Sequence, residues 1–298
     1  MPMISIIITS YKEPETIGRA IEAFLNQKIK VDYEIIGVAP DKETSDVIKS
    51  YSKKYKEVKY LRDPGKGKMY ALHMVFENVK GDILILTDGD VFVEENSIAK
   101  ILEAFRDMEV GCVGGHPIPV NSRNSMYGYW SHLLCYGANL ARIKRSKKGG
   151  YFTCSGYLFA FRNGILKEFP RDVPEDAYIP FFFMKQGYKT KYLSDAKVYV
   201  KYPENLKDWL EQKKRISKAY GNLKKITIDG EHVPKMKSFT KELLEGPGVA
   251  FRYSKNLREF VWTFLLIFAR LYMWCLTFLE MKRGKKHTDG WRVVESTK

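Results

Sequence analysis

The stretch "GDILILTDGD" (residues 81–90) decides the fold of this chain. Four apolar residues run from Ile83 to Leu86, and the aspartates Asp88 and Asp90 follow with one glycine between them. An apolar run of this length is typical of a strand buried within a sheet. Ligands of open α/β sheets bind beyond the carboxyl ends of the strands. The sequence therefore predicts a ligand site at a sheet edge, with two carboxylates in it.

Short apolar strands and amphipathic helices alternate on both sides of this stretch. The pattern predicts strands over 3–9, 33–39, 58–62, 82–87, 110–116 and 151–163, and strand or hairpin structure over 188–203. It predicts helices from near Pro14 and over 43–55, 67–79, 97–108, 125–150, 175–187 and 204–225. Such alternation predicts an α/β fold with a doubly wound, mostly parallel sheet flanked by helices.

The composition predicts a folded domain with anionic partners. Of the 298 residues, 45% are hydrophobic, which is enough for a core, and the net charge is +15. A basic balance favours nucleic acid, an anionic membrane or a phosphorylated substrate without choosing among them. The four cysteines form no CxxC pair and the N-terminal residues include no basic leader. We therefore expect reduced thiols and a cytosolic context.

Asp88 and Asp90 are close enough in sequence to face one ligand, since Gly89 permits a sharp turn between them. Two neighbouring carboxylates repel each other unless a cation lies between them or one is protonated. Mg2+ and Mn2+ accept oxygen ligands and keep coordination positions for substrate phosphates. A divalent ion is one expectation for this pair, and a solvated turn that ends the strand is the other.

Several segments together resemble glycosyltransferase family 2, which has the GT-A fold. On the donor side these are "SIIITSYKEPETIGRAIEAFLNQ" (5–27), "YEIIGVAPDKET" (33–44), "DPGKGKMYALHMV" (63–75) and "GDILILTDGDV" (81–91). On the acceptor side they are "CSGYLFAFR" (154–162), "PEDAYIPFFFMKQGYKT" (174–190) and "QKKRI" (212–216), whose last residue replaces the tryptophan of the family's QxxRW. The resemblance implies a GT-A catalytic domain over 1–225, with a nucleotide-sugar half (1–116) and an acceptor half (117–225).

The resemblance also implies a site for a nucleotide-diphosphate sugar. In the family, the loop after the first strand contacts the nucleotide, and an aspartate after the second strand meets the base or ribose. Lysines between glycines can reach a diphosphate, and the two aspartates of DxD would hold Mn2+ or Mg2+, with Asp90 as the main ligand and Asp88 beside it. The implied donor-binding residues are Thr9, Ser10, Tyr11, Glu13, Asp41, Lys66, Lys68, Asp88, Gln212 and Arg215.

A sugar transfer with inversion needs a group that takes the proton of the acceptor hydroxyl. By resemblance Asp176 is expected to be this base, with Glu175 adjacent and supporting. An ordinary acidic helix start after Pro174 is the alternative interpretation of the pair. With a lipid phosphate as acceptor no base is needed, and Asp176 would instead orient that acceptor.

Residues 260–279 form an apolar run long enough to span a bilayer. Arg270 lies at its middle and both flanks are basic, which argues against a simple span. The flanking cations are Arg252, Lys255, Arg258, Lys282, Arg283, Lys285 and Lys286. We expect residues 226–298 to form a membrane-associating segment, with 256–286 lying on an anionic membrane surface. A spanning helix and a helix packed in a soluble core are the alternatives.

These expectations combine into an inverting, metal-dependent glycosyltransferase at the cytoplasmic face of the cell membrane. Its donor would be a nucleotide-diphosphate sugar and its acceptor a membrane-linked lipid or a glycan, with no nucleic-acid partner. Three alternatives remain from the sequence. A sugar-nucleotide pyrophosphorylase would need a glycine-rich signature that "ITSYKEPET" (8–16) lacks. A nucleic-acid-binding protein would use the basic helix 204–225, and a catalytically inactive GT-A scaffold would keep only the fold.

Overall fold

The computed structural model shows an α/β fold built on one large sheet. It describes residues 3–167, 170, 173–234, 236, 246, 248–283, 290–291 and 295–297. The strand order of the sheet is β3-β2-β1-β4-β7-β6-β8-β5. Its strands are β1 (Ile4–Thr9), β2 (Tyr33–Ala39), β3 (Val58–Arg62), β4 (Ile83–Asp88), β5 (Val91–Val93), β6 (Val110–Pro119), β7 (Phe159–Arg162) and β8 (Lys189–Val200).

One side of the sheet is parallel and the other is mixed. β1 pairs in parallel with β2 and with β4, and β2 pairs in parallel with β3. β7 runs antiparallel between β4 and β6, β8 is parallel to β6, and β5 is antiparallel to β8. The prediction of a mostly parallel sheet is therefore confirmed. The strand β5 escaped prediction because three residues are too few to show a period.

The helices lie within a few residues of the predicted bounds. They are α1 (Ile17–Leu25), α2 (Lys42–Lys54), α3 (Lys68–Phe76), α4 (Ser97–Ala104), α5 (Met126–Lys147), α6 (Glu175–Lys185), α7 (Leu206–Asn222) and α8 (Leu257–Lys282). Two strand predictions change. The segment 151–163 contributes only β7, and 188–203 forms the single long strand β8. A short hairpin of β9 (Thr227–Ile228) and β10 (Glu231–His232) follows α7.

Apolar layers cover both faces of the central strands. Every residue of β1 is buried, and its side chains alternate between two clusters. Ile6 and Ile8 belong to a cluster with α1, α2 and α4, whereas Ile7 belongs to a cluster with α3 and α6. Burial of each such side chain contributes about 1.5–3 kcal/mol. The central strands are therefore well packed on both faces, which fixes the positions of the residues at their carboxyl ends.

The helix α8 packs against α5 and α7 through a minority of its surface. Only 22% of its most apolar 18-residue window is buried, and among the described residues it alone is long and apolar enough to cross a membrane. Its start is fixed by Glu259, which accepts hydrogen bonds from Arg123 at 2.8 and 2.9 Å. Near its end Glu280 accepts from Lys214 at 2.9 Å and from Lys218.

Two domain boundaries were predicted, one at residue 116 and one at residue 226. The predicted division of the catalytic domain at residue 116 lies inside β6, which pairs with β7 and β8. The separate C-terminal segment from residue 226 remains a prediction. Two of its predicted membrane-facing cations, Lys285 and Lys286, lie outside the described residues.

Candidate active site

A pocket of about 390 Å³ opens at the carboxyl ends of β1 and β4. The helices α5 and α7 form the opposite wall, and the first turn of α6 closes one end. Ten of the predicted site residues line it: Thr9, Tyr11, Glu13, Lys68, Asp88, Asp90, Glu175, Asp176, Gln212 and Arg215. The structure therefore brings together most of a set that is spread over more than 200 residues of sequence.

The register of β1 and β4 builds the acidic edge of the pocket. Thr9 pairs with Asp88 across the two strands, and its hydroxyl donates to Asp88 Oδ1 at 3.2 Å. Gly89 is not among the glycines with positive φ. A Cβ at this position would instead lie 2.3 Å from Ser10 Oγ. The glycine between the aspartates is therefore required for close approach, and not for the special turn that the sequence suggested.

Two carboxyl groups at this edge are held in their protonated form up to unusually high pH. Burial, with repulsion from Asp88 added, raises the pKa of Asp90 to about 7. Burial, with repulsion from Asp90 added, raises the pKa of Glu13 to about 8. Ser10 Oγ donates to Glu13 Oε2 at 2.6 Å and keeps this carboxyl beside the pair. Such a cluster either keeps protons near neutral pH or accepts a cation.

Lys68, the first residue of α3, connects the acidic edge to the opposite side of the pocket. Its Nζ lies 2.7 Å from Asp88 Oδ1 and 2.9 Å from Glu175 Oε1. Burial disfavours the charged form, but the two carboxylates more than offset this, and the pKa of Lys68 is raised above its ordinary value. The predicted diphosphate ligand is thus also the counter-ion of two carboxylates.

The first turn of α6 presents Glu175 and Asp176 to the pocket. The hydroxyl of Tyr220 on α7 donates to both oxygens of Asp176, at 3.1 and 3.2 Å. Burial raises the pKa of Asp176 to about 7, the charge of Glu175 adds to this, and the charge of Arg142 partly opposes it. A carboxyl group with a pKa near neutrality suits the transfer of a proton at neutral pH.

The helix α7 adds a cation and an amide to the pocket. The positive charge of Arg215 faces Asp90 and opposes the rise of the pKa of that aspartate. Gln212 is buried, and its Oε1 accepts a hydrogen bond from Lys213 Nζ at 3.2 Å. Both residues come from the "QKKRI" segment, so the helix places this segment opposite the acidic edge.

Three predicted donor residues lie outside the pocket lining. Ser10 is buried behind Glu13. Asp41 is the N-cap of α2, and hydrogen bonds from the backbone of Lys12 and Thr44 hold its pKa below the ordinary range although burial works against them. Lys66 is exposed, with its Nζ 5.0 Å from the centre of the Tyr70 ring. The roles of these three residues stay predictions.

Residues near the C-terminus also reach the pocket, which the sequence did not indicate. Trp291 lines it, and its ring centre lies 5.7 Å from that of Tyr11. The indole Nε1 of Trp291 donates to the buried Asp63 Oδ2 at 2.6 Å. The backbone of Ser296 donates to Asp208 Oδ2 at 3.1 Å, at the start of α7. No local pattern joins positions 228 residues apart, so only the folded chain reveals this contact.

The chemistry of the acidic edge fits a divalent cation. Within the described ranges, no three His, Cys, Asp or Glu side chains converge as a metal site on their own. Mg2+ and related ions commonly take only one or two protein carboxylates and complete their shell with substrate phosphates and water. Asp90 and Asp88 supply such a pair. A cation between them would offset both their mutual repulsion and the cost of burying their negative charge.

Two solved structures share this architecture. A mannosyltransferase of Pyrobaculum calidifontis, solved in complex with GDP-Man and Mn2+, superposes with a TM-score of 0.63 over 94% of this chain and 84% of that one, at 18% identity. GalNAc-T7, solved with UDP, GalNAc and Mn2+, gives a TM-score of 0.52 over 68% of this chain and 43% of its own, at 19% identity. These likenesses confirm the expected GT-A fold.

Sequence comparison reaches the family. An N-acetylglucosaminyltransferase of Rhizobium meliloti is 24% identical over 242 residues, covering 74% of this chain and 56% of the relative. A hyaluronan synthase of Streptococcus pyogenes is 25% identical over 173 residues, covering 52% and 40%. The chain thus spans about half the length of the curated relatives it matches. The profile described as glycosyltransferase like family 2 matches residues 2–219, and the chain belongs to that family.

Proposed function

We propose that the protein is an inverting, metal-dependent glycosyltransferase that uses a nucleotide-diphosphate sugar. The observation that carries this proposal is one pocket with Asp88 and Asp90 at a sheet edge, Asp176 on the opposite side and Lys68 between them. Family membership supports the reaction type. The GDP-Man and Mn2+ bound to the mannosyltransferase neighbour support the donor class.

The donor would lie along the carboxyl edge of the sheet. The nucleoside is assigned to the loop after β1, where Tyr11 and Glu13 line the pocket, and the diphosphate to the space between Lys68 and Arg215. Asp90 and Asp88 would hold Mn2+ or Mg2+, and the ion would neutralise charge on the departing diphosphate. Lys68 and Arg215 would add fixed positive charge beside the diphosphate.

The acceptor would attack from the side of α6. As its hydroxyl oxygen forms a bond to the anomeric carbon, the bond from that carbon to the diphosphate oxygen breaks and its electron pair leaves with the diphosphate. Asp176 takes the hydroxyl proton, and Tyr220 holds both carboxylate oxygens in place. Attack opposite the leaving group inverts the configuration at the anomeric carbon. Glu175, beside Asp176, forms an ion pair with Lys68.

The acceptor is assigned to a membrane-linked lipid or a glycan because of the surface beside the pocket. The helices α5 and α7 line the pocket and also support α8. Large apolar side chains of α8 are exposed: Leu257, Phe260, Val261, Phe264, Leu265, Phe268, Tyr272, Phe278, Leu279 and Met281. Such a face with basic flanks suits an anionic bilayer surface, and we assign it to the cytoplasmic face of the membrane.

Calorimetric titration tests the donor site directly. GDP, UDP and their mannose, glucose and N-acetylglucosamine conjugates would be titrated into the protein with Mn2+ and again with EDTA. We expect one nucleotide to bind in the presence of the metal only, and Asp90→Asn to abolish that binding. Asp46→Asn, an exposed aspartate on α2, is the matched control and should bind like wild type. Failure of every nucleotide to bind wild type in the presence of Mn2+ would reject the proposed function.

A further inference from the structure

One ammonium group joins the donor and acceptor sides of the pocket. Lys68 Nζ is within 3 Å of Asp88 on β4 and of Glu175 on α6, two carboxylates that are 87 positions apart in sequence. The Lys68 side chain keeps about a quarter of its surface exposed, and that of Glu175 about a tenth. Gly156 lies beside the pair, since a Cβ there would be in ordinary van der Waals contact with Glu175 Oε1 at 3.5 Å and with Lys68 Nζ at 3.7 Å.

The position of this ammonium sets up a competition. Lysine carries three N–H donors, and in the structure two of them serve carboxylates. A diphosphate placed between Lys68 and Arg215 brings several strong acceptor oxygens to the same group. A cation at Asp90 and Asp88 simultaneously removes the need of Asp88 for a lysine partner. Glu175 is then the remaining protein group that holds Lys68 away from the donor.

We propose that Lys68 is a positioning residue that couples the two sides: the donor diphosphate and Glu175 compete for its ammonium, so arrival of the donor releases Glu175. This inference rests on the proposed function. Once released, the charge of Glu175 faces Asp176 without a counter-ion and strengthens Asp176 as a proton acceptor. The other groups that face Asp176 are Arg142 from α5 and Tyr220 from α7, with Tyr151 nearby. None of them contacts both sides of the pocket as Lys68 does.

A double-mutant cycle on nucleotide affinity tests the competition. The probes are GDP and UDP with Mn2+, measured by calorimetry on Glu175→Gln, Lys68→Met and the double variant. Glu175→Gln removes the competitor and should tighten binding about fivefold, within the range of contacting residue pairs. Lys68→Met should weaken binding. In the Lys68→Met background, Glu175→Gln should then have no effect, because the residue through which it acts is gone.

A matched control separates this coupling from loss of negative charge in general. Asp176→Asn removes the same charge one residue further along, where no ion pair with Lys68 exists among the described residues. It should change the nucleotide affinity less than twofold, and it keeps the test decisive even if Lys68→Met does not fold. The pH profile gives a second readout: Glu175→Gln should move the acidic limb of turnover to lower pH, because Asp176 loses its neighbouring charge.

The possible results separate the two claims. If neither nucleotide binds wild type, the proposed function fails and this inference fails with it. If a nucleotide binds wild type but Glu175→Gln leaves its affinity unchanged or weaker, the competition is wrong while the donor site stands. Equal tightening by Glu175→Gln with and without Lys68, or by Asp176→Asn, would also overturn it, because the effect would then be general electrostatics.

Discussion

Carboxylates are partly or fully withdrawn from solvent in two regions of this protein, and the two regions shift their pKa values in opposite directions. Where α8 docks, each carboxylate has dedicated cations: hydrogen bonds from Arg123 lower the pKa of Glu259, and those from Lys218 and Lys214 lower the pKa of Glu280 to about 2. In the pocket, burial and mutual repulsion raise the pKa of Glu13, Asp90 and Asp176 to about 7 or 8.

The difference separates a structural use of charge from a functional one. A carboxylate with its own arginine stabilises the contact that it makes, and nothing else needs to bind there. Carboxylates whose pKa values are raised by burial and by one another are costly to the folded chain when all are charged, and the cluster becomes favourable once a metal ion or proton arrives. Each of the following measurements changes one side of this comparison, beginning with the largest expected effect.

Replacement of Asp176, the proposed general base, gives the largest expected effect, a fall in turnover. Asp176→Asn keeps the size of the side chain but cannot accept the acceptor proton, so turnover should fall about 10³-fold. Donor affinity and unfolding free energy should stay near wild type, because the substitution removes a buried charge and leaves an amide oxygen that can still accept the Tyr220 hydrogen bond. Initial rates with the nucleotide sugar identified by calorimetry give the measurement, with Asp46→Asn as control. Unchanged turnover would show that Asp176 orients the acceptor instead.

The docking of α8 should respond in stability rather than in turnover. Arg123→Met leaves Glu259, which is 4% exposed, without its guanidinium and should lower the unfolding free energy by about 3 kcal/mol. The matched control is Arg106→Met, whose partner Glu103 is exposed, and it should cost less than about 0.5 kcal/mol. Urea unfolding followed by circular dichroism compares the two. Equal effects would contradict the view that this ion pair anchors the helix.

The sequence predicted those parts of the molecule that depend on local pattern. The strand β4 begins with an unbroken apolar run from Ile83 to Leu86, and the position of Asp88 and Asp90 after that run was enough to place the site at the sheet edge. Motif order then supplied Glu175 and Asp176. The apolar run and the two aspartates after it follow rules that act within about ten residues of chain, whereas the roles of Glu175 and Asp176 came from the resemblance to the family.

Contacts between distant residues were not predictable in the same way. Asp41 follows the second strand in a loop that departs from the family's double-Asp pattern, and its carboxylate is used as the N-cap of α2. The bridge from Lys68 to Glu175 and the contact of Trp291 with Asp63 depend on how separate elements pack. No hydrophobic period records such packing, so these features appear only when the chain is folded.

The two classes of carboxylate should also give opposite dependences of stability on pH. Asp90 and Glu13 have folded pKa values of about 7 and 8, above the ordinary values of 3.8 and 4.5. Their contribution is fully present below pH 4 and is lost as the pH rises towards 8, so the unfolding free energy should fall between pH 5 and 8. The contribution of Glu280 is lost only as the pH falls towards 2, outside this window.

Added Mn2+ and the substitution Asp90→Asn test whether the pocket carboxylates cause this dependence of unfolding free energy on pH. In Asp90→Asn the loss between pH 5 and 8 should be smaller, because one of the raised pKa values is gone. Mn2+ should raise the melting temperature of wild type more at pH 8 than at pH 6, since the ion competes with protons for the same carboxylates. A metal effect of the same size at both pH values, or one retained in Asp90→Asn, would place the ion elsewhere.

The smallest expected effect concerns the exposed face of α8. Phe268 is 65% exposed, and its ring would enter the bilayer interface if the helix lies on a membrane. Phe268→Ser should weaken binding to vesicles containing anionic lipid about tenfold, the equivalent of burying most of one aromatic side chain.

Met108→Ser, at a residue that is 72% exposed before β6, is the control for an apolar side chain away from α8. Vesicle sedimentation measures both, and because Phe268 does not line the pocket, turnover on a soluble acceptor should stay at the wild-type level. If both variants and wild type bind the vesicles equally, the exposed face of α8 contacts a partner other than a membrane. The interpretation of the ion pairs that dock α8 does not depend on this result.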